Sequence, residues 1–236
     1  MEAEIKGIKD ETHDVKTFRL EPEEEIDFVP GQFCLVSIKE EGFPDDSKPF
    51  TFSSSPEKDF VEMTVKKVGE FTTALHSLEE GDKLELTEPR GKSLNFDESV
   101  DRDIVFIAGG SGITPFISAI RYSIDRDLDH NMTLFFSNRE YRDIIYRTEL
   151  RHIYEDYQRI KVVNTLTHEE PDHWDGETGL IDREMIEKHV DDLRDKIWYI
   201  CGPPPMIDAM EELLEDMGVE ETDIRFEKWQ IPGKHD

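Results

Sequence analysis

The sequence lacks an apolar run long enough to cross a membrane. A membrane-spanning helix needs about 20 consecutive, mostly apolar residues. The longest candidate, from Ile104 to Ile120, is interrupted by three glycines and a proline. The N-terminal segment MEAEIKGIKDE is charged and has no apolar signal core. We therefore expect no membrane insertion, no secretion and a cytoplasmic location.

Cysteine is equally scarce. The two thiols, Cys34 and Cys201, stand far apart in the chain, so a disulfide framework is not indicated. A plant-type iron–sulfur cluster requires four closely spaced thiolates, which this sequence cannot supply. The eight histidines show no paired ligand spacing. We therefore expect no metal site.

Positive charge is the third deficit. The chain has 28 lysines and arginines against 56 aspartates and glutamates, a formal net charge of −28. Such a chain repels nucleic acids and anionic membrane surfaces, so neither is an expected partner. The acidic residues are spread along the sequence rather than gathered in a tail. Adaptation to high salt explains them best, and a dedicated basic partner is the alternative.

The residues that are present fall into two patterns, which change near residue 100. Residues 1–99 contain short apolar stretches separated by turn signals such as Pro30-Gly31 and Gly81-Asp82, which is typical of a β-sandwich or barrel. One helix is predicted from Thr72 to Leu78, with Thr72 as its N-cap. The predicted strands are Val15–Leu20, Gln32–Ile38, Phe60–Val68 and Lys83–Leu86.

Residues 100–236 alternate strands and helices, which indicates βαβ units and an open parallel sheet. The predicted strands are Ile104–Ala108, Met132–Phe136, Ile160–Leu166, Ile197–Ile200 and Ile224–Phe226. The predicted helices are Pro115–Ile124, Ile144–Tyr157, one from an Asp182 cap to Val190, and Pro204–Met217. We therefore predict two domains, 1–99 and 100–236.

The first predicted strand of the second domain ends in a glycine-rich turn, Gly109-Gly-Ser-Gly-Ile-Thr-Pro115. Gly110 and Gly112 let the backbone approach a pyrophosphate, and the following helix supplies free N–H groups. Pro115 suits the first turn of that helix. Such a turn by itself also fits a purely structural role.

A second strand, from Ile197, leads into Cys201-Gly-Pro-Pro-Pro-Met206. Cys201 is expected at the carboxyl edge of the sheet, where ligands of open α/β folds bind, although a small buried hydrophobe is the alternative. Gly202, Pro203 and Met206 form the turn into the next helix. The two glycine turns in this order favour a dinucleotide site.

Together these motifs resemble the ferredoxin–NADP reductase superfamily, in which an antiparallel FAD-binding β-barrel precedes a nicotinamide-binding α/β domain. The segments Phe28–Phe33 and Trp174–Gly179 are also similar to that family. The resemblance implies an NAD(P)H-dependent flavoprotein that transfers hydride from NAD(P)H to bound FAD. The electrons then pass to a separate acceptor, namely ferredoxin, another redox protein or a small molecule.

The family's flavin signature, Arg-x-Tyr-(Ser/Thr), reads here as Lys48-Pro49-Phe50-Thr51. The resemblance implies that Phe50 lies against the flavin ring, that the Thr51 hydroxyl approaches flavin N5, and that Lys48 meets the flavin phosphate. Lysine lacks the bidentate fork of arginine, and phenylalanine lacks a hydroxyl. We therefore expect flavin binding of weaker affinity.

Further flavin contacts are implied by Gly69-Glu-Phe71-Thr72, which matches the family's phosphate loop. Lys66, just before it, adds a second cation or is simply solvated. By the same resemblance, Thr114 lies near the flavin and Cys201 near the nicotinamide C4. Thr51 and Cys201 are therefore the candidate catalytic residues, acting through orientation rather than proton transfer.

The adenosine end gives conflicting signals. Ser137-Asn138-Arg139 ends the second predicted strand, and Arg139 could meet the 2′-phosphate of NADP or form a salt bridge with Glu140 or Asp143. Thr165-Leu-Thr-His168, after the next strand, is similar to NADH-using relatives. The sequence leaves the nucleotide as NAD(P)H and slightly favours NADH.

The acceptor is not encoded in the motifs. An electron-transfer reductase, a free-flavin reductase or diaphorase, and a regulatory flavoprotein subunit all stay open. Trp229 is the candidate ring over the outer flavin face. A basic patch for an acidic ferredoxin is sought in four cations, Arg142, Arg147, Arg151 and Lys161.

Overall fold

The computed structural model describes residues 1–39, 46–168 and 172–227. Its first half is a six-stranded antiparallel sheet with the strand order β4-β3-β6-β1-β2-β5. The strands are β1 (Glu2–Asp10), β2 (Val15–Pro22), β3 (Phe33–Ser37), β4 (Ser47–Thr51), β5 (Val61–Lys66) and β6 (Lys83–Leu86). A bridge between Phe52 and Met63 joins the two outer strands. The sheet thereby closes into the predicted barrel.

Two of these strands were not predicted. β1 has five charged residues among its nine and Gly7 in its middle, yet Ala3 and Ile5 are fully buried. β4 contains Pro49, which cannot donate to a ladder. The strand tolerates this proline because it stands at one end of the strand order.

The helix of the barrel, α1 (Glu70–His76), begins earlier than expected. Thr72 is its third residue, so the prediction that Thr72 is the N-cap is wrong. The Thr72 hydroxyl instead accepts hydrogen bonds from the Val68 and Gly69 N–H groups, at 2.8 and 3.0 Å. These reverse bonds satisfy donors that precede the helix, so the chain turns into helix directly after Gly69.

The second half is a six-stranded parallel sheet with the order β10-β9-β8-β7-β11-β12. The strands are β7 (Asp103–Gly109), β8 (Met132–Asn138), β9 (Ile160–Leu166), β10 (Glu177–Thr178), β11 (Lys196–Cys201) and β12 (Ile224–Phe226). The helices are α2 (Thr114–Asp125), α3 (Arg147–Asp156), α4 (Arg183–His189) and α5 (Pro204–Asp216). The open parallel sheet is confirmed, as is the Asp182 cap, whose carboxylate accepts from Met185 N at 2.9 Å.

Each face of this sheet carries its own core. Phe106 packs with α2 and α3 on one face, and Ile107 packs with α4 and α5 on the other, because successive strand residues point to opposite faces. Helix α3 starts at Arg147 rather than Ile144, since Tyr146 has φ 56° and is buried. Leu94 and Phe96 pack into the first of these cores, and the division at residue 100 stays a prediction.

Within the described residues, no helix combines the length and apolar character that crossing a membrane requires. In the same part of the chain, no three His, Cys, Asp or Glu side chains lie close enough together to hold a metal ion.

Candidate functional site

The glycine-rich turn begins where β7 ends at Gly109. Residues Gly110–Ile113 form a 3₁₀ turn that leads directly into α2. Gly110 has φ +54°, a conformation that favours glycine, and a Cβ atom added there would meet nothing within 4 Å. Pro115 lies in the first turn of α2, as predicted. At Gly110 this turn is therefore open to whatever lies at the carboxyl edge of the sheet.

The second turn lies against the first. β11 pairs with β7, with Cys201 beside Ala108. A Cβ atom on Gly112 would stand 2.2 Å from the Cys201 carbonyl oxygen, and one on Gly109 would stand 2.5 Å from the Met206 sulfur. Only glycine fits at Gly112, whose close neighbours are backbone atoms, so the two motifs lie in direct contact. The structure thus brings the predicted dinucleotide residues together.

Cys201 is the last residue of β11 and is partly buried. Burial, with a smaller contribution from the Glu227 carboxylate, raises the pKa of the Cys201 thiol to about 12. The thiol is therefore protonated at neutral pH. This matches an orienting role better than a nucleophilic one.

Glu227 is a candidate that the sequence reasoning missed. It follows β12, which pairs with β11 so that Phe226 lies beside Ile200. Partial burial raises the pKa of the Glu227 carboxyl. The sequence could have pointed to Glu227, because this residue comes directly after the short last strand, at the same sheet edge as Cys201.

The flavin signature occupies β4, whose five residues are all partly buried. The Phe50 and Phe71 rings stack with centroids 6.1 Å apart and an interplanar angle of 24°. Phe71 belongs to α1, so the strand and the phosphate-loop helix meet at this ring pair. Two predicted flavin-binding elements, distant in sequence, thereby share one surface.

The two predicted phosphate cations each hold a carboxylate. Lys48 Nζ lies 2.5 Å from Asp46 Oδ2, and Lys66 Nζ lies 3.1 Å from Asp14 Oδ2. Hydrogen bonds from Lys48 and from a backbone N–H lower the pKa of Asp46. A phosphate group would therefore have to compete with these acidic residues.

At the adenosine end, β8 and β9 finish side by side. The Asn138 carbonyl accepts from Thr167 N and the Arg139 carbonyl accepts from His168 N, both at 3.0 Å. The segment with the NADP-like residues, 137–139, therefore lies beside the segment that is similar to NADH-using relatives, 165–168. Ser137 lies partly buried beside them.

The Arg139 side chain is exposed, and the expected salt bridge is absent from the described residues. Glu140 pairs instead with Arg142, at 2.7 Å. Asp143 lies 3.7 Å from His13 and accepts from Glu140 N. Among the described residues, the alternative of a bridge from Arg139 to Glu140 or Asp143 is therefore not supported.

Of the four cations considered for a basic patch, Lys161 lies apart from Arg142. Arg142 follows the carboxyl end of β8, whereas Lys161 stands at the amino end of β9 and donates to the His189 carbonyl at 3.0 Å. Arg147 lies over the Tyr141 ring at 4.4 Å. Trp229, the candidate flavin cover, lies outside the described residues.

The residues present fit both cofactors. Asn138 is buried, with only 5% of the residue exposed. Neither atom of its side-chain amide has a hydrogen-bond partner among the described residues. Buried amides normally have partners, so this one suits a bound nucleotide. For the flavin, the half-buried Thr51 and the Phe50–Phe71 pair offer a polar atom beside a flat apolar surface.

The comparisons with known proteins agree with this geometry. The family model for the oxidoreductase FAD-binding domain matches residues 2–94, and the model for the oxidoreductase NAD-binding domain matches residues 106–212. The FAD/NAD-binding domain of nitric oxide dioxygenase from Vibrio cholerae superposes with a TM-score of 0.87 at 19% identity, covering 97% of this chain and 98% of that one. That likeness shows the fold.

Two relatives are closer in sequence. A ferredoxin–NAD(P)⁺ reductase of Metapseudomonas resinovorans is 32% identical over 231 residues, covering 96% of this chain and 68% of the relative. A glycine betaine monooxygenase reductase subunit of Pseudomonas aeruginosa is also 32% identical, covering 88% of this chain and 58% of the relative. The chain therefore spans only part of each. It belongs to the ferredoxin–NADP reductase superfamily of NAD(P)H-dependent FAD oxidoreductases.

Proposed function

We propose that this chain takes hydride from NAD(P)H at the turns after β7 and β11 onto FAD held along β4, and passes the electrons to a separate redox protein. The observation that supports this arrangement of the two cofactors is the contact between the barrel and the parallel-sheet half. The Ser118 hydroxyl in α2 donates to the Ser54 carbonyl at 2.6 Å. Since α2 starts at the dinucleotide turn and Ser54 follows β4, the two predicted cofactor sites face a common junction.

On the flavin side, Phe50 and Phe71 present a flat apolar surface, Thr51 offers a hydroxyl, and Lys48 offers a cation for the phosphate. FAD, when bound, supplies the capacity to accept a hydride and to release electrons. The chain's own task is to hold and orient it. The Phe50 ring excludes water from one face of the site, and Lys48 must exchange Asp46 for phosphate to contribute.

On the nicotinamide side, Gly110, Gly112 and Thr114 line the start of α2, and Gly202 with Pro203 lines the start of α5. Their role is to bring the backbone close to the dinucleotide. Cys201, kept as a neutral thiol, would pack against the nicotinamide when the dinucleotide is bound. Such groups accelerate hydride transfer by alignment, because hydride transfer needs no protein acid or base.

For the nucleotide, we propose NADH with a tolerance for NADPH. Asn138, Thr167 and His168 offer hydrogen-bonding groups suited to a ribose, which supports NADH. Arg139 and Ser137 supply a cation and a hydroxyl for a 2′-phosphate, which supports NADPH. The exposed arginine contributes less than a buried one because water screens it.

The proposed acceptor is a ferredoxin or the redox centre of an oxygenase component. The names of the two relatives, a ferredoxin–NAD(P)⁺ reductase and a monooxygenase reductase subunit, support this class. The net charge of −28 favours a partner with a basic contact surface, or an acidic ferredoxin at salt concentrations that screen repulsion. The same charge supports adaptation to high salt.

The test is an anaerobic titration of the full chain purified in high salt. A flavin absorption band that bleaches with NADH more readily than with NADPH supports the proposal and its nucleotide preference. A preparation that takes up no added FAD contradicts it. Mixing the reduced protein with a ferredoxin and, separately, with free flavin then distinguishes an electron-transfer reductase from a free-flavin reductase.

A further inference from the structure

One face of α2 lies against the loop that follows β4. The Ser118 hydroxyl donates to the Ser54 carbonyl at 2.6 Å, and both residues are buried. Arg121 Nη1 donates to the Ser53 carbonyl at 2.7 Å. Ser118 and Arg121 are three residues apart and therefore share a helix face. Both donors bind backbone oxygens, so they fix the path of the loop itself.

The Arg121 side chain is held from both domains. Its Nε and Nη2 atoms each lie 2.7 Å from one oxygen of Glu149, and Nη1 lies 3.0 Å from Glu62 Oε2. Burial opposes the charge, but the bonds to Glu149 and the nearby Glu62 raise the pKa of the guanidinium. The planar fork of arginine satisfies all these acceptors at once, which a lysine cannot do.

This contact lies close to both predicted cofactor-binding elements, the flavin strand and the dinucleotide turn. Ser53 follows Thr51 by two strand-like residues, which span about 7 Å. Ser118 follows Thr114 by four helical residues, which span about 6 Å. Short, rigid pieces of backbone therefore connect the contact to the flavin strand on one side and to the dinucleotide turn on the other.

We infer that Ser118 and Arg121, here called the α2 clamp, are positioning residues that set the distance between the nicotinamide and the flavin. The inference rests on the proposed function. Hydride transfer depends steeply on geometry, and a displacement of about 1 Å can cost roughly 100-fold in rate. The α2 clamp restrains that distance without touching either cofactor site.

The same helix provides a matched control. Lys58 Nζ lies 2.9 Å from Asp125 Oδ1, so this pair also joins the loop to α2. It stands at the far end of the helix from Thr114, and the Lys58 side chain is 43% exposed. Exposed pairs contribute little. Lys58→Met therefore removes an interdomain contact while leaving the α2 clamp intact.

The experiment compares Ser118→Ala, Arg121→Lys and Lys58→Met with the wild-type chain. FAD occupancy and thermal unfolding are measured first. Stopped-flow reduction by NADH and by NADPH then gives a limiting rate and a half-saturating concentration. We expect Arg121→Lys to lower the limiting rate 10- to 100-fold and Ser118→Ala to lower it 3- to 10-fold, with the half-saturating concentration changed less than twofold. Lys58→Met should match the wild type.

Ser118→Ala keeps the test valid if Arg121→Lys does not fold, because it removes one hydroxyl and adds no bulk. Clamp variants that unfold at lower temperature but reduce FAD at the wild-type rate would overturn the inference. A rate that falls only in proportion to lost FAD, or equally in Lys58→Met, would overturn it too. A wild-type chain that binds FAD but is reduced by neither nucleotide would instead refute the proposed function, and the inference with it.

Discussion

The contact between the two glycine turns permits a sharp test by Gly112→Ala. A Cβ atom at Gly112 would stand 2.2 Å from the Cys201 carbonyl oxygen, 2.5 Å from its carbon and 2.8 Å from Gly202 N. All three neighbours are backbone atoms, so no side-chain rotation can relieve the overlap. The two turns must separate.

The size of the effect follows from ordinary contact distances. Non-bonded heavy atoms reach their energy minimum at about 3.5–4.0 Å, so the turns must move apart by at least about 1 Å. Overpacking of this kind costs about 1–3 kcal/mol of stability. A shift of that size between the dinucleotide turn and Cys201 also lowers the rate of hydride transfer by about 100-fold.

The assay measures FAD occupancy, nucleotide affinity and the anaerobic rate of flavin reduction in Gly112→Ala. We expect normal FAD content, weaker nucleotide binding and slow reduction. Gly7→Ala is the matched control, because its added Cβ meets only the Arg19 Cβ at 3.8 Å, an ordinary contact. If Gly112→Ala binds nucleotide and reduces FAD like the control, the close approach of the two turns is not what shapes the site.

Three further predictions concern single side chains. Lys48→Ala should weaken FAD retention about 5- to 10-fold, by loss of a charge-assisted bond of about 1–1.5 kcal/mol; equilibrium dialysis that shows unchanged FAD affinity would reject the phosphate role. Phe50→Ala should shift the flavin absorption spectrum and slow its reduction, and an identical spectrum and rate would reject the stacking role. Burial raises the pKa of Glu227 in the folded chain. Below the ordinary carboxyl pKa the residue is protonated and its contribution to stability is fully present. That contribution is lost as the pH rises through the raised pKa. Glu227→Gln should flatten this part of the stability–pH curve, measured by denaturant unfolding, and an unaltered curve would contradict the assignment.

The sequence predicted best those features that depend on backbone geometry. Glycine is needed at Gly112 because two backbones approach each other there, and that need is local enough to appear as a motif. The strands Ile160–Leu166 and Lys83–Leu86 were predicted with their exact bounds, although each mixes apolar with polar residues. Asp182 correctly predicted the start of its helix, because its own side chain caps that helix.

Features that depend on tertiary partners were not predictable in the same way. β1 is half charged, and it is a strand because β2 and β6 pair with its two edges. Tyr146 delays the start of the predicted helix to Arg147, because its side chain is buried and its hydroxyl bonds Thr64 in the barrel. Neither pairing leaves a trace in the local pattern, because the partners are distant in sequence.

The charges illustrate the same limit on the scale of the whole molecule. In this chain of net charge −28, Asp46 and Asp14 each pair with a lysine that the resemblance assigns to flavin phosphate. Each of the two cations proposed to bind phosphate therefore already has a competing carboxylate. Because salt screens such exposed pairs, a high salt concentration weakens the competing carboxylates and the phosphate contact alike. FAD affinity should therefore depend less on salt concentration than two exposed lysine–phosphate contacts would imply. The apolar Phe50–Phe71 surface should bind the flavin more strongly as the salt concentration rises.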